Sequence, residues 1–452
     1  MSRERRSNEV DMLHGPLAKK IFMFALPLAA SSILQQLFNA ADLAVVGRFT
    51  NPQAMAAVGS NASVIGLLVN LFVGLSVGAN VLIATLVGRG ERSEIPDAVH
   101  TIITLALVTG VIIMGLGIAL ARPILTLMGA PQEVIDLATL YLRIYFCGMP
   151  VIMIYNYGSA ILRSRGDSKR PFFSLTLAGV LNVLMNLLFV IVFKLHVIGV
   201  ALATVLSNCV SAGLILYFLI KESDEFHLNL KQLKIRKDHL LQVVRIGLPA
   251  GLQSTVFSLS NVVIQSAINS FGTACIAGMT ASQNFDFISY CMTNAFAQAA
   301  VTFTSQNYGA RNSKRCHKVW MWSMFMGIGI DIILIAFIML GRHQLIRIFT
   351  TDPEVIKFAM VRFKIAIVVH FICGTYEITG GALRGLNRSM VPALISVLGT
   401  CAFRLLYVGL WFPAHRSLET LLMVYPLSWV VTTIAMQTAY FIVRKRAFRE
   451  PA

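Results

Sequence analysis

Charge is scarce in this sequence. Of 452 residues, 38 are Lys or Arg and 21 are Asp or Glu, so charged side chains are 13% of the chain while 56% is hydrophobic. A soluble domain carries about twice that charged fraction. So few charges cannot coat a water-facing surface, and a membrane-embedded chain is what remains. Disorder is excluded by the same numbers. Motifs are missing too. There is no G-x-x-x-x-G-K-[ST] loop and no extramembrane stretch long enough for a nucleotide-binding domain, which excludes an ATP-driven pump made of this chain alone. His and Cys never take zinc spacing, the seven Cys form no CxxC pair, and neither a Ser-His-Asp constellation nor paired inner-loop carboxylates support an enzyme. Most of the Cys lie in apolar runs and read as free buried thiols, silent on redox compartment.

Long apolar runs are what the chain does have. Twelve are predicted as membrane spans, near 21–46, 54–87, 98–121, 134–162, 172–193, 197–220, 240–270, 275–307, 319–341, 354–383, 391–412 and 418–443. A transmembrane helix needs about 20 such residues, and the longest runs must tilt or bend. The first run is too long for a signal-peptide core and lacks a cleavage site, so it reads as a retained helix. The longest connection splits the chain into an N-terminal lobe (1–221), a linker (222–238) and a C-terminal lobe (239–452). The expected fold class is an all-α membrane protein, with twelve transmembrane helices in two six-helix lobes.

A net charge of +17 invites a nucleic-acid reading. The distribution of the basic residues argues otherwise. With the N-terminus inside, 27 of the 38 fall in inner loops and tails, six in outer loops (Arg48, Arg122, Lys194, Arg342, Arg347 and Arg416) and five within spans. That bias is the positive-inside signature of twelve spans with both termini cytoplasmic. The expected setting is a bacterial-type plasma (inner) membrane, with the bilayer as partner and no nucleic acid.

The halves repeat at an offset of 221–222 residues. Leu26-Pro27 recurs as Leu248-Pro249, Asn39 as Asn261, Gly88 as Gly309, Glu133-Val134-Ile135 as Glu354-Val355-Ile356, Tyr155 as Tyr376, Leu162-Arg163 as Leu383-Arg384 and Pro171 as Pro392. Six spans return the chain to its starting side, so the repeats are parallel. Their pseudo-two-fold axis is expected along the membrane normal, an architecture that supports alternating access around a central site.

Polar residues in spans face protein or water. On span 1, Gln35, Asn39 and Asp42 follow at i, i+4 and i+7 on one helical face. Span 5 supplies Asn182 and Asn186, and span 6 supplies Thr204. Carboxylate, amide carbonyls and hydroxyl make an oxygen set suited to a hard cation, or to a proton on Asp42. The plainer alternatives are an interfacial carboxylate in water and interhelical amide bonds. On span 10, Glu377 stands at the repeat position of Asn156, about two helical turns before Arg384. Its alternatives are a functional carboxylate or an ion pair with Arg404. His370, seven residues earlier, is either a relay partner or a packing histidine. Asp286 and Asp331 are also intramembrane, Asp331 without a partner evident from sequence. Tyr155, Asn156, Gln253, Asn261, Gln265, Asp286, His370 and Tyr376, with Gln35 and Asn39, are candidate cleft residues. Pro27 and Pro249 are hinge candidates, or static kinks. Nineteen Met and 28 Phe suit a pliable wall for varied apolar ligands, although lipid-facing Met and Phe are ordinary.

Several ordered segments carry a family resemblance. They are Leu-Pro-Leu-Ala at 26–29, Asn-Ala-Ala-Asp-Leu-Ala-Val-Val-Gly-Arg-Phe at 39–49, Ala-Ala-Val-Gly at 56–59, Ala-Ile-Leu-Arg-Ser-Arg-Gly-Asp-Ser-Lys-Arg-Pro at 160–171, Gly-Val-Ala-Leu-Ala-Thr at 199–204, Gly-Leu-Pro-Ala-Gly-Leu-Gln at 247–253, Gln306 with Gly309-Ala310, and Gly-Ala-Leu-Arg-Gly at 381–385. Over nearly its full length the chain resembles the multidrug and toxic compound extrusion (MATE) family. The resemblance implies a secondary antiporter that exports cationic, amphipathic compounds, takes in Na⁺ or H⁺, needs no cofactor and works as a monomer. In one branch of the family the cation site uses an Asp on span 1, an Asn and an Asp on span 5 and a Thr on span 6. Asp42, Asn182 and Thr204 match; Asn186 stands where that pattern has its second acid. Another branch places acids on spans 7 and 10. Span 7 here has none, only Gln253, Asn261 and Gln265, while span 10 has Glu377. The coupling site is thus expected in either lobe or both. The rival readings are a lipid-linked saccharide flippase of the same superfamily, a membrane-embedded transferase and an ion channel. A flippase would favour a cationic cleft, a transferase a carboxylate or metal cluster, and a channel a filter-like loop.

Overall fold

In the computed structural model the described residues are 9–49, 52–127 and 132–449. The basic residues Arg3, Arg5 and Arg6 of the inner tail lie outside them. No strand occurs among the described residues. The α-helices are α1 (Leu17–Phe49), α2 (Pro52–Arg89), α3 (Ile95–Leu127), α4 (Gln132–Cys147), α5 (Met149–Ser164), α6 (Lys169–Leu187), α7 (His196–Ile220), α8 (Lys237–Asn269), α9 (Thr273–Gly309), α10 (Ser313–Arg347), α11 (Pro353–Ile365), α12 (Phe371–Gly385), α13 (Met390–Ser396), α14 (Phe403–Leu406), α15 (Leu418–Leu422) and α16 (Val424–Ala447). Joined across their breaks, they form the twelve expected spans. Eight are long and apolar enough to cross a membrane by length and composition, and a ninth is the bent pair α4–α5. The remaining three, α8, α9 and α11–α12, carry more polar residues.

Five predicted spans are less regular than the sequence pattern suggests, span 12 being divided at Met423 between α15 and α16. Span 4 bends by 47° where α4 meets α5. Gly148 sits at that junction with Pro150 just beyond it, and Pro has no N–H to donate to the preceding turn's carbonyl. Span 10 breaks between α11 and α12 at a 3₁₀ turn, Ile367–Val369. Span 5 ends in a π-helical stretch, Leu188–Val192, and span 11 holds two, Val397–Ala402 and Tyr407–Trp411, flanking α14.

Two compact units emerge. Unit 1 comprises Met1–Asp11 and Ala30–Gly251; unit 2 comprises Met12–Ala29 and Leu252–Ala452. The division falls inside α1 and inside α8, two residues beyond Pro27 and Pro249 respectively. Unit 1 packs around Leu82, Ile83, Val99, Ile102, Leu142, Met153 and Tyr157, all fully buried or nearly so. Small residues let its helices approach closely. Gly74 and Gly78 of α2 lie against Gly247 and Gly251 of α8, backbone on backbone, the packing that small-xxx-small patterns allow. Amides tie other helices together: Asn61 donates to the Ala138 carbonyl and Asn80 to that of Ala160, each at 3.2 Å.

In unit 2 the core centres on Phe363, Tyr376, Leu383, Leu421 and Tyr440. Large apolar side chains of α10, among them Phe325, Ile333 and Phe337, stand exposed on its surface, as a lipid-facing helix requires. The linker is not loose. Glu222, fully buried, accepts from Arg170 and is ion-paired with Arg165, which also pairs with Asp224 and Glu9. Further along, Arg236 reaches Glu94 at 3.0 Å and Asp97 at 2.8 Å.

Candidate functional site

In unit 1 the structure brings together three of the residues that spacing had placed on two separate helices. Asn182 and Asn186, one turn apart on α6, face α1. The Asn186 Nδ2 donates to Asp42 Oδ1 at 2.5 Å and to Asn182 Oδ1 at 3.2 Å. Asp42 is 9% exposed, Asn182 5% and Asn186 0%. An anion this enclosed is costly unless hydrogen-bonded or matched by a cation. Here one amide N–H supplies the bond and no basic side chain pairs with Asp42 among the described residues. The Asn186 Oδ1 is buried without a partner. Thr204 on α7 neighbours the carboxylate, its hydroxyl donating to the Val200 carbonyl at 2.9 Å. Around this polar group lies an apolar shell of Val45, Val46, Val190, Val197 and Val200. Tyr141 and Tyr145, with ring centroids 6.2 Å apart, complete it. The arrangement presents several oxygens, one of them anionic, in a water-poor setting. It can hold one small monovalent cation or one proton. The π-helical stretch that begins two residues after Asn186 is of a kind often found at functional sites.

Gln35 and Asn39, predicted on the same stripe as Asp42, are exposed and make no hydrogen bond with it among the described residues. Tyr155 donates to the Pro171 carbonyl at 3.3 Å, and Asn156 bonds back to the Ile152 carbonyl at 2.8 Å.

Unit 2 distributes its candidates over separate contacts. Glu377 is half-buried on α12. It makes no ion pair or hydrogen bond among the described residues, so the expected alternative of a pair with Arg404 does not form. Asp331 has a partner that sequence did not reveal: His370 Nδ1 lies 3.1 Å from its Oδ2, with both residues buried and the other Asp331 oxygen unpartnered. His370 also packs edge-on to Trp429. It lies just before α12, beyond the 3₁₀ turn, so its seven-residue spacing does not set it on one continuous helix face with Glu377. The Cys373 thiol donates to the Tyr376 hydroxyl at 3.2 Å, and Tyr376 is 2% exposed, a core residue.

Asp286 is ion-paired with Arg362, which donates to it at 2.5 and 2.8 Å. Arg404 is 1% exposed and donates to Ser428 at 3.0 Å and to Asn261 at 3.3 Å. Gln253 accepts from Arg384 at 2.8 Å, and Gln265 donates to Asn269 at 2.9 Å. Arg362 is one of the five basic residues within spans, and its pairing with Asp286 is not visible in the sequence. The residues lie on α9 and α11, 76 positions apart, and no local spacing signals the contact. Among the described residues no cluster of His, Cys, Asp and Glu could hold a metal ion.

Comparisons with known proteins agree with this architecture. The family model described as MatE matches residues 27–188 and 249–408, one stretch in each half, as the internal repeat anticipates. The chain is 27% identical over 386 residues to "Probable multidrug resistance protein YoeA" of Bacillus subtilis, covering 84% of this chain and 83% of that protein. It is 27% identical over 399 residues to "Probable multidrug resistance protein NorM" of Thermotoga maritima, covering 86% and 84%. A solved structure described as an outward-facing conformation of a multidrug resistance MATE family transporter shares its fold, with TM-score 0.89, 24% identity and coverage of 99% and 100%. On the family match across both halves and this fold, the chain belongs to the MATE family of multidrug efflux transporters.

Proposed function

We propose that the protein is a secondary active antiporter. It exports cationic, amphipathic compounds in exchange for Na⁺ or H⁺ by alternating access, as a monomer in a bacterial-type plasma membrane with both termini cytoplasmic. The observation that carries the reading is the enclosed Asp42 carboxylate, bonded to Asn186 and Asn182 and unmatched by a basic side chain. Such a group holds a monovalent cation or a proton in one state and can release it to a competing organic cation in another. Competition for one negative charge is enough to couple the two fluxes. The one-acid arrangement, with Asn186 at the second family position, favours one monovalent ion per cycle. Glu377, half-buried and unpaired, is a second coupling candidate in unit 2. Pro27 and Pro249 serve as hinges, a role supported by the unit division two residues beyond each. The topology is supported by the 27-to-6 basic split. Efflux of a fluorescent cationic dye from proteoliposomes, with Na⁺ and pH gradients imposed separately, tests the reading. Asp42→Asn, Glu377→Gln and the double variant are compared. Full gradient-driven efflux in all three rejects it.

A further inference from the structure

We propose that unit 2 carries an anion-binding site built on Arg404, which takes one negative charge, either the carboxylate of an aromatic organic anion or chloride. Arg404 belongs to unit 2, whereas the Asp42 carboxylate of the coupling site belongs to unit 1.

Arg404 lies within a predicted span and is 1% exposed. Its Nε donates to the Ser428 hydroxyl and its Nη1 to the Asn261 amide oxygen. Both acceptors are neutral, and among the described residues no carboxylate lies within ion-pair distance of it. The nearby Arg362 is different, because Asp286 already takes its charge. Glu377, the remaining unpaired acid of these spans, forms no ion pair with Arg404 either. The cluster of Asp286, Arg362 and Arg404 therefore carries one positive charge in excess. An intramembrane charge without a counter-charge is expensive and by default marks a site with a missing partner.

The surroundings suit an anion with a flat apolar body. The Arg404 guanidinium lies 4.8 Å from the Tyr425 ring centroid and 5.3 Å from that of Phe257. Tyr425 also faces Arg362, at 5.2 Å, so its electron-rich face is held between two cations. Tyr425 and Phe257 are half-buried and Asn261 is exposed. The guanidinium is therefore one side chain beneath the surface of the unit. The amide over it is held at 3.3 Å, the long end for a hydrogen bond. An entering carboxylate would replace that amide oxygen and form the stronger, charge-assisted pair. Arg404 also lies between two π-helical stretches, irregularities that recur at functional sites. A single excess charge fits a monoanion and offers little to a pyrophosphate.

The test uses the full-length chain in nanodiscs of zwitterionic phosphatidylcholine, which lack a competing anionic lipid. Binding of radiolabelled 1-naphthoate is measured by equilibrium dialysis, with and without chloride, for wild type, Arg404→Gln, Arg404→Lys and Asn261→Ala. The expected result is saturable wild-type binding, weakened about tenfold or more in Arg404→Gln and less in Arg404→Lys. Asn261→Ala, which removes the competing amide, binds at least as tightly as wild type. Displacement of naphthoate by chloride, or Arg404-dependent chloride binding alone, supports the site with the inorganic anion as occupant; saturable naphthoate binding that chloride leaves unchanged supports the organic one. Arg404→Gln is scored only against an unchanged melting temperature, and if it fails to fold the Asn261→Ala result decides. The proposal is overturned if wild type binds neither anion, if folded Arg404→Gln binds like wild type, or if Asn261→Ala loses binding.

Discussion

Replacing Gly247 with Ala is a sharp probe of how unit 1 is built. A Cβ on Gly247 would fall 2.5 Å from the Leu75 Cα and 2.9 Å from its carbonyl oxygen. Non-bonded carbons settle at roughly 3.5–4.0 Å, so α2 and α8 would have to part locally by about 1 Å. Both obstructing atoms are backbone, and no side-chain rotation relieves the contact. The neighbouring turns are equally tight, with the Cβ of an Ala at Gly78 placed 2.2 Å from the Val243 carbonyl oxygen. Overpacking of this kind costs about 1–3 kcal/mol, which disfavours the present arrangement by about 5- to 150-fold against any alternative that relieves it. Gly115→Ala is the control, because nothing lies within 4 Å of its added methyl and Ala is the better helix former. The assay pairs thermal unfolding with a spin-label distance between α2 and α8, followed by dye efflux. Gly247→Ala should melt earlier or lengthen that distance, and should slow efflux, while Gly115→Ala should do neither. If both variants match wild type in all three measurements, the close backbone crossing is refuted.

Other outcomes follow from the buried pairs. Asp331→Asn or His370→Asn should each destabilise unit 2 by about 3–5 kcal/mol, the cost of stranding one member of a buried pair. The double variant should lose less than the sum, which a double-mutant cycle on melting would read. Arg165→Gln removes the group that joins Glu9, Glu222 and Asp224, so limited proteolysis should cut the 221–226 segment faster in this variant than in wild type. The Lys234 ammonium hydrogen-bonded to Asp97, with Arg236 beside it, holds that carboxyl below its ordinary value of 3.8. A depressed carboxyl contributes stability that is complete above its ordinary value and is lost as pH falls through the folded one. Hydrogen exchange of residues 230–238 should therefore stay slow from neutral pH into mild acid and speed up only below about pH 4.

Much of the architecture is legible in the sequence because a membrane imposes coarse rules. Apolar runs must be about 20 residues long, and basic residues collect on one side. The repeat is visible because both halves build the same six-span unit. In unit 1 the site was legible through local spacing: Asn182 and Asn186 share a face, and one contact to Asp42 brings the two helices together. What failed to show depends on long-range contact. Asp331 and His370 are 39 residues apart, and Asp286 and Arg362 are 76 apart, so no periodicity links them. Arg404 looked like a partner for Glu377 because opposite charges on successive spans invite pairing. Packing instead turned it to Ser428 and Asn261. The bend at Gly148 had a signal in Gly148-Met149-Pro150. The π-helical stretches at 188–192, 397–402 and 407–411 had none, since they contain only one Gly in each C-terminal stretch and no Pro.

The most direct test of coupling through Asp42 is gradient-driven dye efflux by Asp42→Asn in proteoliposomes, with Na⁺ and pH gradients applied one at a time. Asparagine keeps the size and the hydrogen-bonding reach of the side chain but removes its charge. The gradient driving wild-type efflux should no longer drive it in Asp42→Asn, or should drive only a remnant that Glu377→Gln then abolishes. Efflux at the wild-type rate in Asp42→Asn and in the Asp42→Asn/Glu377→Gln double variant would contradict it.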